Sequence, residues 1–112
     1  MAETNSSRMQ VSVEGKNFQC RLITPEGKVF DDQATFISAP GTRGSFGVLA
    51  QHAPMVSSLK HGVLKIQKDR TVDFYSIDSG VLEVSSPDHA VLVLADQAIK
   101  TTEPQMTDHQ NK

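Results

Sequence analysis

Cysteine is almost absent from this chain: of 112 residues only Cys20 carries a thiol, so no internal disulfide can form. That agrees with a reducing compartment. Long apolar runs are missing too. The longest, AVLVLA at 90–95, has six residues, against the roughly twenty that cross a bilayer as a helix. The opening MAETNSSRMQVSVEG has neither the charged start nor the apolar middle of a secretory signal. The expectation is a soluble, intracellular protein. An excess of either charge is also lacking: 11 Lys and Arg against 13 Asp and Glu leave a formal −2, with no polybasic cluster. A nucleic-acid or anionic-lipid binder that works through its field is thereby excluded.

What is present is an ordinary globular composition, 38% hydrophobic and 21% charged, at the length of one domain with one core. From Asn17, NFQCRLIT alternates Phe18, Cys20 and Leu22 against Gln19 and Arg21, the period-two pattern of a half-buried strand. Cys20 therefore reads as a small buried hydrophobe. Pro25 and Gly27 in PEGK suit the corners of a turn into VFDDQATFISA. Further strands are expected at FGVL (46–49), GVLKIQ (62–67), TVDFYSI (71–77), VLEV (81–84) and AVLVLA (90–95). Lys68, Asp69 and Arg70 mark one hairpin, and Ser86, Pro87 and Asp88 separate the next pair. PDHAVLVLADQAIK also fits a helix with Pro87 at its first position, but its valines favour a strand. Strands recurring about every ten residues indicate an all-β sandwich or barrel. Residues 1–16 read as an extension, 17–100 as the domain, and 101–112 as a polar, irregular or disordered tail.

The stretch APGTRGSFGVLAQHAP at 39–54 concentrates three glycines, two prolines and a histidine. Gly41, Gly44 and Gly47 lack the helix start and the following lysine that a phosphate cradle needs, so they read as turn and bulge formers. His52, His61, His89 and His109 show no short pairing for a metal. His52 has no nucleophile near it in sequence, and a hydrogen bond to its own loop is the simpler role. No G-x-S-x-G elbow occurs. Asp31 and Asp32, neighbours on a strand, point to opposite faces and cannot converge on one atom. The enzymatic alternative is Asp78-Ser79-Gly80, which resembles the active-site triplet of dimeric, retroviral-type aspartic proteases, where two carboxylates share a proton. Only thirty-two residues follow Gly80, too few for the flap of that fold plus the polar tail. The plain reading of the triplet is a turn between strands.

Several motifs then occur in a fixed order: ITPEGKVF, FISAPGTRGSFGVLAQHAPMVSSLKHGVLKI, DSGVLEV and VLVLADQA. Over residues 17–100 this order resembles the amino-terminal domain of the epsilon subunit of the F-type, proton-driven rotary ATP synthase. The resemblance implies a two-sheet β-sandwich of about ten short strands. It implies a non-catalytic rotor part that turns with the gamma subunit and the ring of c subunits and touches the alpha/beta head only indirectly. No cofactor or metal is expected, and no insertion into the membrane. A bacterial member would lie peripherally on the cytoplasmic face of the inner membrane. By the same resemblance Thr42, Arg43, Gly44 and Ser45 face the c-ring, and His52, Met55 and Val56 lie near gamma. The chain departs from the family where Arg43 and Ser45 replace frequent acids, where Ala50-Gln51 replaces a glycine-proline-type lead, and at Ser79 in place of a second glycine. Many relatives continue into an inhibitory helical hairpin. Twelve polar residues do not build one, so rotation without hairpin-mediated inhibition is expected.

Overall fold

The computed structural model describes residues 16–102, and in them it has ten strands and no helix. They are β1 (Phe18–Thr24), β2 (Gly27–Ala34), β3 (Phe36–Gly41), β4 (Gly44–Leu49), β5 (Met55–Leu59), β6 (Gly62–Gln67), β7 (Val72–Ile77), β8 (Gly80–Val84), β9 (Val91–Ala95) and β10 (Ala98–Thr101). The all-β reading holds, and the ambiguous segment around Val91 is a strand. The expected polar tail falls, from residue 103 on, outside the described residues, as does the extension up to residue 15.

Pairing runs β10-β7-β6-β3-β5-β8-β9-β1-β2, with β4 on β3. This single ladder is folded into two layers, β10-β7-β6-β3-β4 and β5-β8-β9-β1-β2. The fold is made by three strand paths that pass through both. Gly62 pairs with Ile77 and Leu59 with Gly80, three residues further along each strand, so β5–β6 and β7–β8 keep one register across the gap. Gly80 pairs with Ala95 and Ile77 with Ala98, so β9–β10 does the same. Residues 60–61, 78–79 and 96–97 are thus one corner at which three paired strands bend together, the device by which strands change sheets.

The side chains record the bend as a slip of phase. Leu64 and Ile66 are buried on even positions and Leu59 on an odd one; Tyr75 and Ile77 are buried on odd positions, Leu82 and Val84 on even. A regular strand keeps even spacing between residues of one face, so the odd step requires an extra residue at the corner. Ser79 takes it up at φ 73°. Its hydroxyl donates to the Asp96 carboxylate at 2.9 Å and its carbonyl accepts from Asp96 N–H at 3.1 Å. Gly80 has no freedom to grow: a Cβ there would strike the Leu94 carbonyl oxygen and lie 2.9 Å from the Ala95 Cα.

VFDDQATFISA, expected as one strand, is two, and they belong to different layers. The break is Thr35, buried, with both its N–H and its hydroxyl donating to the Gln67 carbonyl at 2.8 and 3.1 Å. Two strands are additions to the expected set: β5, where serines dilute the pattern, and the short β10. Between the layers Leu22, Ile37, Leu64, Ile66, Ile77, Leu82 and Val93 are fully buried. Across them the Phe30 and Tyr75 rings meet edge to face at 6.3 Å, and Lys68 reaches over the Phe30 ring at 5.6 Å towards Asp32 at 3.5 Å. Asp31 instead takes Lys28 at 2.8 Å and Arg21 at 3.3 Å, so the adjacent aspartates do serve separate partners. The Lys28 hydrogen bond, helped by the Lys28 and Arg21 charges, outweighs desolvation and holds the Asp31 carboxyl below its usual range.

Cys20 is fully buried, as expected, and burial, with a smaller push from Asp31, raises its thiol from 9.0 to about 12. The unfolded chain therefore ionises first, and the thiol's contribution to stability, complete below pH 9, is lost as pH rises towards 12. Between pH 8 and 10.5 the unfolding free energy from urea titration should fall more steeply for the wild type than for Cys20→Ala, by at most about 1.4 kcal/mol per pH unit above 9. Equal slopes would contradict the burial. Gly80→Ala should lower stability by about 1–3 kcal/mol through overpacking, seen as a depressed Tm with unchanged β-sheet circular dichroism.

Candidate functional site

The glycine-rich stretch is a hairpin rather than a loop. β3 and β4 pair from Phe36↔Leu49 to Gly41↔Gly44, leaving only Thr42 and Arg43 at the tip. Gly44 follows at φ +133°, a backbone state open to glycine and costly for other residues. At Gly41 a Cβ would meet the Gly44 carbonyl oxygen at 2.8 Å and the Phe46 ring at 2.9 Å, so the chain closes tightly here. Thr42, Arg43, Gly44 and Ser45 are all exposed, and among the described residues no carboxylate pairs with Arg43.

The tip is not free to swing. It passes the corner and is fixed to β5: Thr42 N–H donates to the Ser58 carbonyl at 3.0 Å, Lys60 N–H to the Pro40 carbonyl at 2.9 Å, and Gly41 pairs with Leu59. Thr42, Arg43, Gly44, Phe46, Val56 and Ser58 line an open groove of ≈ 560 Å³. The structure thus brings the tip residues and Val56 together.

His52 lies apart, in the β4–β5 loop at the end of the layers away from the tip. Its ring Nδ1 bonds the Ala53 carbonyl at 2.8 Å, the loop-holding role expected of it. The His89 ring donates to the His52 carbonyl at 3.1 Å, tying this loop to the β8–β9 connection. Met55 and Val56 point opposite ways: Met55 packs on the core, while Val56 is 69% exposed. Val56 shares the outward face of β5, β8 and β9 with Val81, 39% exposed, and Leu94, 48% exposed, which are paired with each other. The sequence reading missed these two, although apolar residues at both phases of VLEV and VLVLA carry the signal of strands covered on both faces.

Asp78-Ser79-Gly80 is a corner within a strand path rather than a turn between strands. The Asp78 side chain is 63% exposed, 3.7 Å from the His61 ring, and the Asp78 backbone N–H donates to the Gln97 carbonyl. A shared-proton dyad needs a sheltered pocket, and the protease reading finds no support. Among the described residues no group of His, Cys, Asp and Glu could hold a metal, and no helix is long and apolar enough to cross a membrane.

Residues 17–101 match the family model for the ATP synthase, Delta/Epsilon chain, beta-sandwich domain. The chain is 38% identical over 88 residues to the ATP synthase epsilon chain of Pelotomaculum thermopropionicum, covering 79% of this chain and 64% of that one. It is 39% identical over 95 residues to that of Rickettsia bellii, covering 82% and 86%. Against several such relatives it spans less than two thirds of their length. Among solved structures, a chain of the Euglena gracilis mitochondrial ATP synthase, OSCP/F1/c-ring, is similar at TM-score 0.72 and 21% identity, over 85% of this chain and 60% of that one. At that identity the likeness concerns the fold.

Replacing Gly44 by alanine should cost about 1–3 kcal/mol from backbone strain alone, because no atom lies within 4 Å of the added Cβ. Ser45→Ala, one residue on, should stay within about 0.5 kcal/mol. Thermal melts of the two variants check the contrast.

Proposed function

The chain belongs to the ATP synthase delta/epsilon-chain β-sandwich family, and from that membership we propose that it is a non-catalytic rotor element of the central stalk. In this reading it couples the gamma subunit to the c-ring during proton-driven ATP synthesis and meets the alpha/beta head only through gamma. It sits at the membrane surface, on the cytoplasmic face in a bacterium. The observation that carries the reading is one rigid body offering two contact surfaces, joined by backbone hydrogen bonds. The hairpin tip Thr42–Ser45 is the surface for the ring. The outward face of β5, β8 and β9, with Val56, Val81 and Leu94 exposed, is the surface for gamma, bordered by Met55 and His52.

A rotor part has to pass force without absorbing it. Load on Arg43 reaches β5 through Thr42 N–H on Ser58 and the Gly41–Leu59 bridge, and β5 is itself paired along its length to β8. Close-packed interiors of this kind deform little. Arg43, at the tip and without a carboxylate among the described residues, favours a ring whose polar loop presents an acid.

Val56→Asp tests the gamma face. Since Val56 is 69% exposed in the free chain, the variant should still fold, losing no more than about 1 kcal/mol to strand propensity and to the like charge of Glu83 paired opposite it. Burying the new charge against gamma should weaken binding by about 2–5 kcal/mol, read by calorimetric titration with the gamma subunit of the same organism. Unchanged affinity would move the gamma surface elsewhere. Failure of the wild-type chain to co-purify with gamma and the c-ring would end the rotor reading.

A further inference from the structure

Strand edges that carry no protection stand out in this molecule. The ladder ends at β2 and β10. β2 bears Lys28, Asp31 and Asp32, and β10 is four residues long with Lys100. Charge and shortness are the usual devices that keep an edge from pairing with other chains. Two further edges lie inside the ladder, because β4 pairs only with β3, and β5 meets β3 at one bridge alone. β4, GSFGVL, and β5, MVSSL, contain neither a charge nor a proline. The least protected edges are therefore the two that flank the groove beside the hairpin tip.

Which backbone groups face that groove follows from the bonds on either side of it. Ser58 and Lys60 address the hairpin, Ser58 through its carbonyl and Lys60 through its N–H. Strand residues alternate in the side to which their backbone groups point, so Val56 faces the same way as Ser58, while Met55, Ser57 and Leu59 serve β8. Val56 N–H, Val56 C=O and Ser58 N–H are left without a backbone partner among the described residues. The hairpin tip occupies the first position of this edge, at Ser58, and then turns away into β4. What remains is a short run of alternating donors and acceptors with the exposed Val56 side chain above it and Phe46 across the groove.

We infer that the free edge of β5 takes an extended segment of the gamma subunit by strand addition, paired at Val56 and Ser58 where the hairpin tip leaves off. The assignment rests on the rotor role proposed for the chain. It commits to gamma because the edge is continuous with the face on which Val56, Val81 and Leu94 are exposed. A partner segment that hydrogen-bonds along β5 extends the layer β5-β8-β9-β1-β2 by one strand and covers the Val56 backbone. The run Met55–Ser58 is about 13 Å long at 3.3 Å per residue, room for roughly four residues of the added strand. An uncharged segment with an apolar residue directed at Phe46 fits it. Pairing of this kind resists rotation of one subunit on the other, because each bond fixes direction as well as distance.

The test is amide exchange followed by nuclear magnetic resonance on the isotopically labelled full chain, alone and in complex with the gamma subunit of the same organism. Alone, Val56 and Ser58 N–H should exchange rapidly while Ser57 and Leu59 are protected. In the complex, Val56 and Ser58 should slow by about 100-fold or more. A second variant replaces the Val56 amide by an ester, which removes that N–H and keeps the side chain. It should fold normally and bind gamma about tenfold more weakly, the loss of one buried hydrogen bond. A complex that forms with Val56 and Ser58 still exchanging freely, or with full affinity for the ester, overturns strand addition and leaves the rotor role standing. Protection of these amides in the chain alone also overturns it, since the edge is then filled by the chain's own residues or by a second copy. No binding to gamma by the wild type sinks both.

Discussion

Two backbone hydrogen bonds, Lys60 N–H to the Pro40 carbonyl at 2.9 Å and Thr42 N–H to the Ser58 carbonyl at 3.0 Å, hold the β3–β4 hairpin to the other layer at the corner of the fold. Proline has no N–H to offer, so Pro40 can only accept, and because the chain turns at Thr42–Arg43 the pairing of β3 with β5 is confined to the single Gly41–Leu59 bridge. The rest follows from that economy. The tip is carried past the corner and fixed there, β4 and β5 part on either side of a groove, and both present an unpaired edge to it. Were β3 paired with β5 at full length, the tip would not be placed beside Val56 and the groove would be closed.

The corner itself is the second constraint, and it explains why the chain bends without glycine or proline at two of its three crossings. Lys60-His61 and Asp96-Gln97 lack glycine and proline, yet the strands bend there. The bend is shared by three paired strands, so each one's strain is supported by its neighbours. Ser79 and Gly80 take the extreme positions: the serine has a positive φ locked by Asp96, and the glycine lies against the backbone of Leu94. Protein cores tolerate such positions only where packing over-determines them, as the burial of Ile77, Leu82 and Ala95 does here.

Period-two alternation made β1, β6 and β7 legible, because each has one face on the core and little else to satisfy, and valine content did so for β8 and β9. What alternation could not convey was continuity. The gap between TVDFYSI and VLEV read as a turn and MVSSL was not read as a strand at all, whereas the structure makes β5–β6 and β7–β8 single paths with a bend in each. The clue was arithmetic: Leu59 to Leu64, and Ile77 to Leu82, are five residues apart, an odd step that an unbroken strand cannot take. Thr35 carried no clue at all, since nothing in its residue type announces that Gln67 will capture its N–H. In the site, the glycines made the turn at the hairpin tip legible, while a contact role for Thr42–Ser45 came only from the family resemblance. His52 was legible through the loop it holds, whereas Val81 and Leu94 were hidden in runs that read simply as buried strands.

A division of labour follows between the charged and the uncharged parts of the groove. Arg43 stands at an exposed two-residue tip, where a charge acts through solvent and is screened within about 10 Å at 0.1 M salt. Such a charge governs approach and choice of partner more than the final strength of contact. In the proposed rotor contact Val56 and the β5 edge, which carry no charge and gain from removal of water, would govern how long a contact lasts. Because the Thr42–Ser58 bond joins the two parts, a partner held on β5 fixes the position of Arg43 as well. Selectivity at the tip and grip along the strand are then set by one short piece of backbone.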